Sequence, residues 1–135
     1  MNAKSTLFLA ATVITVLNFY SCSKYEDGPK FSLRTKKARL TGEWEVVRIG
    51  NESFPQNGYS LEMVFEKDGD FEYKYSYDNY SYTYSGDWAF TSDKEKVVLS
   101  INNGAGGQTL EILRLKNNEL WFEDSNNEEW RLEAL

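Results

Sequence analysis

From Glu43 to the C-terminus the chain alternates between apolar and polar positions with a period of two, the pattern of strands buried on one face. EWEVVRIG (43–50) predicts a first strand, followed by a loop containing Pro55, Asn57 and Gly58. YSLEMVFEK (59–67) sets Leu61, Met63 and Phe65 on one face, and DFEYKYSY (70–77) sets Phe71, Tyr73, Tyr75 and Tyr77 on one face. In YSYTYSGDWAFT (80–91), Tyr80, Tyr82, Tyr84, Gly86, Trp88 and Phe90 lie opposite Ser81, Thr83, Ser85 and Asp87. KVVLSIN (96–102), TLEILRLK (109–116), ELWFED (119–124) and EEWRLEAL (128–135) complete a set of eight. Consecutive one-faced strands joined by short turns leave wet apolar surface and open edges unless the sheet closes on itself. The pattern therefore predicts an all-β fold: an eight-stranded antiparallel up-and-down barrel.

Turn chemistry fixes the registers. Asp78-Asn79 as a two-residue turn pairs Tyr77 with Tyr80, Tyr75 with Tyr82 and Tyr73 with Tyr84, and sets Phe71 over the gap left by Gly86. A two-residue loop at Asp68-Gly69 would place Phe65 opposite Glu72, on the wrong face. A three-residue loop, Lys67-Asp68-Gly69 with a left-handed Gly69, instead pairs Phe65 with Phe71 and Met63 with Tyr73. Asn117-Asn118 makes another tight turn, with Lys116 facing Glu119. In TLEILRLK, Leu110 and Ile112 share one parity while Leu113 and Leu115 share the other, which calls for a bulge.

Ahead of the strands, FSLRTKKARLTGEW predicts a short helical turn with Ser32 as N-cap, Leu33, Lys37 and Leu40 on one face and Gly42 as terminator. Lys30, Arg34, Lys36, Lys37 and Arg39 bring five positive charges with no acid among them. They form either a solvated helix face or a contact for anionic lipid headgroups. Further upstream, LFLAATVITVL (7–17) follows Lys4 and is too short to span a bilayer, which takes about 20 apolar residues. It suits the core of an export signal. With Ser21-Cys22 after it, the segment resembles a bacterial lipoprotein signal, of the looser form met in Bacteroidota. That resemblance implies a signal peptide over residues 1–21 and a mature first residue, Cys22, carrying thioether-linked lipid and an acyl chain such as palmitate on its amine. Residues 22–31 then form the lipidated cysteine and a polar tether, broken by Gly28-Pro29, and residues 32–135 the domain. Ser23 is not the aspartate of inner-membrane retention, and Glu26-Asp27 resembles a surface-export signal. The implied address is the outer membrane, with the leaflet open.

Composition narrows the chemistry. The chain has no histidine and one cysteine, so the commonest general base is missing and the only thiol is assigned to the anchor. No inward pair of carboxylates at glycosidase spacing and no calcium-loop spacing is evident. The reading is a non-enzymatic protein with no cofactor and no metal. A net charge of −6, more negative once Lys4 leaves with the signal, opposes nucleic-acid binding, and the domain is expected to be a monomer.

Gly42-Glu43-Trp44, entering the first strand after a helical turn, resembles the Gly-x-Trp signature of lipocalins. MVFEKDGDFEY, YSGDWAF and LEILRLKNNELWFED fit the lipocalin-like domains of Bacteroidota lipoproteins, so the resemblance covers roughly residues 28–135. It implies that Trp44 packs at the closed end of the barrel and that Arg131, in the last strand, covers it. Trp88, Phe90, Trp121 and Trp130 are expected in the core.

Six phenols on one hairpin face, Tyr73, Tyr75, Tyr77, Tyr80, Tyr82 and Tyr84, stand out. Buried hydroxyls need partners, which a purely structural face of Phe or Leu would not require. One reading is a core whose hydroxyls bond to neighbours, water or the rim. The other is a barrel interior or mouth for a small apolar, amphipathic or sugar-like ligand, opening near Tyr77 and Tyr80. Against ligand binding stands an interaction or accessory module of a cell-envelope complex, with a filled barrel and an apolar patch around Phe54, Tyr59 or Trp121.

Overall fold

A computed structural model describes residues 34–101 and 106–135. The expectations for the signal peptide, Cys22, the tether and the Ser32 cap fall outside these residues. The helix α1 is a single turn, Lys36–Leu40, capped by Thr35, whose side chain accepts from the Ala38 N–H at 3.1 Å. Thr41 rather than Gly42 closes it, donating its N–H and hydroxyl to the Lys37 carbonyl at 2.9 and 2.8 Å. Gly42 instead opens the first strand at φ 144°, a conformation that favours glycine.

Among the described residues the helix is succeeded by nine strands: β1 (Gly42–Ile49), β2 (Glu52–Ser53), β3 (Tyr59–Phe65), β4 (Asp70–Tyr77), β5 (Tyr80–Phe90), β6 (Lys96–Ile101), β7 (Gly106–Leu115), β8 (Glu119–Glu123) and β9 (Glu129–Ala134). Apart from β2, a two-residue addition to the far end of β1, each pairs antiparallel with its successor, and β9 pairs back onto β1. The result is the closed eight-stranded barrel that the alternation demands, with β2 unforeseen because two exposed residues carry no period.

The predicted registers are present. Phe65 faces Phe71 and Met63 faces Tyr73 across β3–β4, with Gly69 at φ 102° in the three-residue loop. Tyr77, Tyr75 and Tyr73 face Tyr80, Tyr82 and Tyr84, and Phe71 faces Gly86. The β7 bulge falls at Leu113, between Ile112 and Arg114, so Ile112 and Leu115 both reach the core. A second bulge, at Val47 in β1, turns Ile49 inward opposite Trp130.

The core is one cluster, anchored by the fully buried Trp44, Phe65, Phe71 and Phe122 and floored at one end by Leu40 of α1. Each such side chain contributes about 1.5–3 kcal/mol through burial. Trp44 donates its indole N–H to the Leu40 carbonyl at 2.8 Å, tying the helix to the barrel floor. Trp88 does the same with the Glu66 carbonyl, also at 2.8 Å. Arg131 does not cover Trp44. It sits three residues from Ala134, the partner of Trp44, which is about 10 Å along the strand. Because Leu132 points inward, Arg131 points outward, and its guanidinium lies 3.9 Å from the centre of the Trp121 ring. Arg114 lies 4.4 Å from the same ring, so Trp121 is an outer-wall residue held between two arginines rather than a core residue.

At Gly86 the β5 and β6 backbones approach so closely that a Cβ would sit 1.8 Å from the Ser100 carbonyl oxygen, which belongs to the sheet and cannot swing away. Gly86→Ala should therefore lower stability by about 3 kcal/mol or more, beyond the ordinary cost of overpacking. Urea unfolding followed by tryptophan fluorescence measures it. Gly106→Ala, with nothing within 4 Å of the added methyl, is the control expected to change stability by less than about 0.5 kcal/mol.

Candidate ligand site at the barrel mouth

Strand direction gives the barrel two unlike ends. The end at Gly42, Phe65 and Phe90 is closed by α1, Trp44 and Trp88. The other end receives the β1–β3 connection, the β4–β5 turn and the β8–β9 turn, and no helix covers it among the described residues. An open cavity of about 560 Å³ lies there, walled by Ile49, Phe54, Tyr59, Leu61, Tyr75 and Trp130, with Glu52, Gln56 and Asn57 at its edge. Beneath it is a second chamber of about 210 Å³ lined by Met63, Phe71, Leu99, Ile101 and Phe122. Tyr73 and Trp130 line both, so these two residues border the two spaces alike.

The six tyrosines split between two environments. Tyr73 and Tyr75 on β4 are half-buried and line the mouth. Burial raises the Tyr73 phenol above its ordinary value, with Tyr84 adding to the shift. Tyr75 is raised by burial, then by its hydrogen bond with Tyr59 and the neighbouring phenols. Both hydroxyls thus stay protonated and able to donate at any physiological pH. Tyr59, which alternation alone did not single out for the site, packs on both neighbours: its ring lies 5.4 Å from that of Tyr75 and stacks 4.2 Å from that of Tyr77.

Tyr80, Tyr82 and Tyr84 are not part of the cavity wall, with 66, 56 and 44 % of their surface exposed, and neither is Tyr77, which meets the site only through its stack on Tyr59. The cause lies in the pairing. β5 meets β6 only from Gly86 onward, while residues 80–85 pair with β4 alone among the described residues. That half of the hairpin projects past the wall, so its inward parity does not make it interior. The expected opening near Tyr77 and Tyr80 is therefore displaced toward Phe54 and Tyr59.

The residue that sequence reasoning missed is Asp124. It is 8 % exposed and accepts the Trp130 indole N–H on Oδ2 at 3.0 Å, while Oδ1 accepts the backbone N–H groups of Asn126 at 2.8 Å and Glu128 at 3.0 Å. This fixes the Trp130 ring, which also stacks on Phe122 with centroids 5.6 Å apart. The signal in the sequence was Asp at the head of a Ser-Asn-Asn turn, an Asx-turn former. Among the described residues no group of acidic or sulfur ligands could hold a metal ion.

Burial works to raise the Asp124 carboxyl, but the N–H of Glu128, the Trp130 indole and the N–H of Asn126 outweigh it and hold the carboxyl below its ordinary value of 3.8. A depressed native value means that the ionised group stabilises the fold above pH 3.8 and that this contribution is lost as pH falls through the native value. Asp124→Asn should cost about 2 kcal/mol at pH 7, the scale of lost hydrogen bonds to a charged acceptor. It should also flatten the acid limb of the stability–pH curve below about pH 4, as measured by urea unfolding across pH.

A sequence profile described as a lipocalin-like domain matches residues 40–122. No curated protein matches the chain in sequence. Among solved structures, a lipocalin-like protein from Bacteroides uniformis superposes with a TM-score of 0.60 at 14 % identity, over 72 % of this chain and 99 % of that one. Another protein from Bacteroides uniformis, solved by NMR, gives 0.58 at 20 % identity, over 73 % and 90 %. At such identities the structural likeness carries the fold alone. The profile, spanning most of the barrel from the helix end and Trp44 to Phe122, carries the family: this chain belongs to the lipocalin-like domain family.

Proposed function

We propose that the protein is an outer-membrane-anchored lipoprotein, non-catalytic and monomeric, whose barrel binds a small apolar or amphipathic ligand. The observation that supports it is the mouth cavity of about 560 Å³ with a neighbouring, largely apolar chamber of about 210 Å³ that shares Tyr73 and Trp130 with it. That size falls within the range of small-molecule sites. A barrel serving only as a scaffold would gain about 25 cal/mol for each Å² by filling that space with side chains. The basic turn beside the anchor suits contact with anionic headgroups, although Lys36 already donates to the Lys94 carbonyl at 3.2 Å and Lys37 lies 5.9 Å from the Trp88 ring.

A second reading, an accessory module of an envelope complex, draws support from the projecting hairpin with Tyr80, Tyr82 and Tyr84 exposed. Native mass spectrometry of the purified, unlipidated protein separates the two: a co-purified small molecule is expected, and a uniformly empty monomer would favour the accessory role. Cys22→Ser is expected to release the protein from the membrane pellet with its circular dichroism unchanged. Retention in the pellet would refute lipid attachment at that residue.

A further inference from the structure

The charge and ring chemistry of the mouth define the ligand further. Around the upper cavity stand five aromatic rings, Phe54, Tyr59, Tyr73, Tyr75 and Trp130, and one carboxylate, Glu52; among the described residues no lysine or arginine lines either chamber. Glu52 is held in place by Gln56, whose Nε2 donates to Oε2 at 3.0 Å. The described mouth-end connections, 50–58, 78–79 and 124–128, carry Glu52, Asp78, Asp124 and Glu128 and no base, and residues 102–105 between β6 and β7 are Asn-Asn-Gly-Ala in sequence. The two nearby arginines face elsewhere. Arg48 donates from Nε to the Gly50 carbonyl at 2.8 Å, and Arg131 lies over Trp121 on the outer wall.

A carboxylate head entering this site would lose hydration against ring faces and meet a like charge with no base to offset it. An ammonium head meets the opposite: electron-rich ring faces, the arrangement that recognises alkylated ammonium groups, and a carboxylate at the rim. Beyond Tyr73 and Trp130 the chamber's lining side chains carry as polar groups Gln108, the Tyr73 hydroxyl and the Trp130 indole N–H, which is already donated to Asp124, so the tail behind the head must be apolar. Its 210 Å³ suits a chain of about seven carbons if each methylene takes roughly the 30 Å³ of a water molecule.

We propose that the ligand is a cationic amphiphile, an alkylammonium compound whose head sits among Tyr59, Tyr75, Phe54 and Glu52 and whose chain passes Tyr73 and Trp130 into the inner chamber. This rests on the barrel being a ligand site. The test titrates octyltrimethylammonium, octanol and octanoate, matched in tail, into the full chain bearing Cys22→Ser by isothermal calorimetry. The ammonium compound should bind about tenfold more tightly than the alcohol, the combined scale of ring and carboxylate attraction, with octanoate weakest. Glu52→Gln, at an exposed position that leaves the core untouched, should weaken the ammonium compound about threefold to fivefold and leave octanol unchanged. Equal binding of all three, or preference for octanoate, overturns the cationic assignment while leaving a ligand-binding barrel. Binding by none overturns both.

Discussion

The pairing of β9 with β1, from Trp44 opposite Ala134 to Ile49 opposite Trp130, is the constraint on which the rest of the molecule depends. Without it, β1 and β9 are open edges and the aromatic face of the meander is wet. With it, the buried residues of all eight barrel strands share one interior and the chain needs no disulfide to hold its core. Closure also imposes geometry. The strands tilt and stagger, and the extra residues at Val47 and Leu113 let β1 and β7 bend while keeping apolar residues inside on both sides of each bulge. The Val47 bulge matters for the mouth in particular, because it brings Ile49 to the cavity wall beside Trp130.

Closure also separates the two ends. At one end α1 and two indole–carbonyl bonds, Trp44 to Leu40 and Trp88 to Glu66, saturate the indole donors and tie the closing elements down. At the other, Trp130 is fixed by Asp124 on one edge and Phe122 on one face, and its ring lines both spaces of the mouth end. An aromatic residue locked in place next to a cavity is preorganised, so a ligand would not have to order it on binding. The outer wall treats its aromatic residue differently. Trp121 is covered by the Arg114 and Arg131 guanidinium planes, and Arg114 Nε lies 3.1 Å from Glu119 Oε2, short of hydrogen-bonding alignment.

Much of this was legible along the chain. The β4–β5 register followed from a two-residue turn and strict alternation, and the β3–β4 register from the single loop length that keeps Phe65 on the face of Phe71. The Leu113 bulge followed from a clash of parities within one strand. Two features were legible and misread: Leu120 and Phe122 point inward, which already sends Trp121 out, and Trp130 and Leu132 do the same for Arg131. The Val47 bulge was harder to see, since Val46 and Val47 are both apolar and only the parity of Ile49 hinted at it.

Sequence by itself determined the strands, the turns and the faces, because a period of two and the φ preferences of glycine, asparagine and aspartate act within a few residues. It also placed a row of tyrosines on one inward-parity face. Which of those tyrosines line a cavity was decided only in three dimensions. Parity sets the side of a sheet, but burial depends on whether a second wall stands opposite. β6 pairs with β5 only as far as Gly86, so Tyr73 and Tyr75 are enclosed by the barrel while Tyr80, Tyr82 and Tyr84 extend beyond it. The same long-range closure gathered Phe54, Tyr59 and Glu52 at one opening with Tyr75 and Trp130, a grouping that no local pattern specifies.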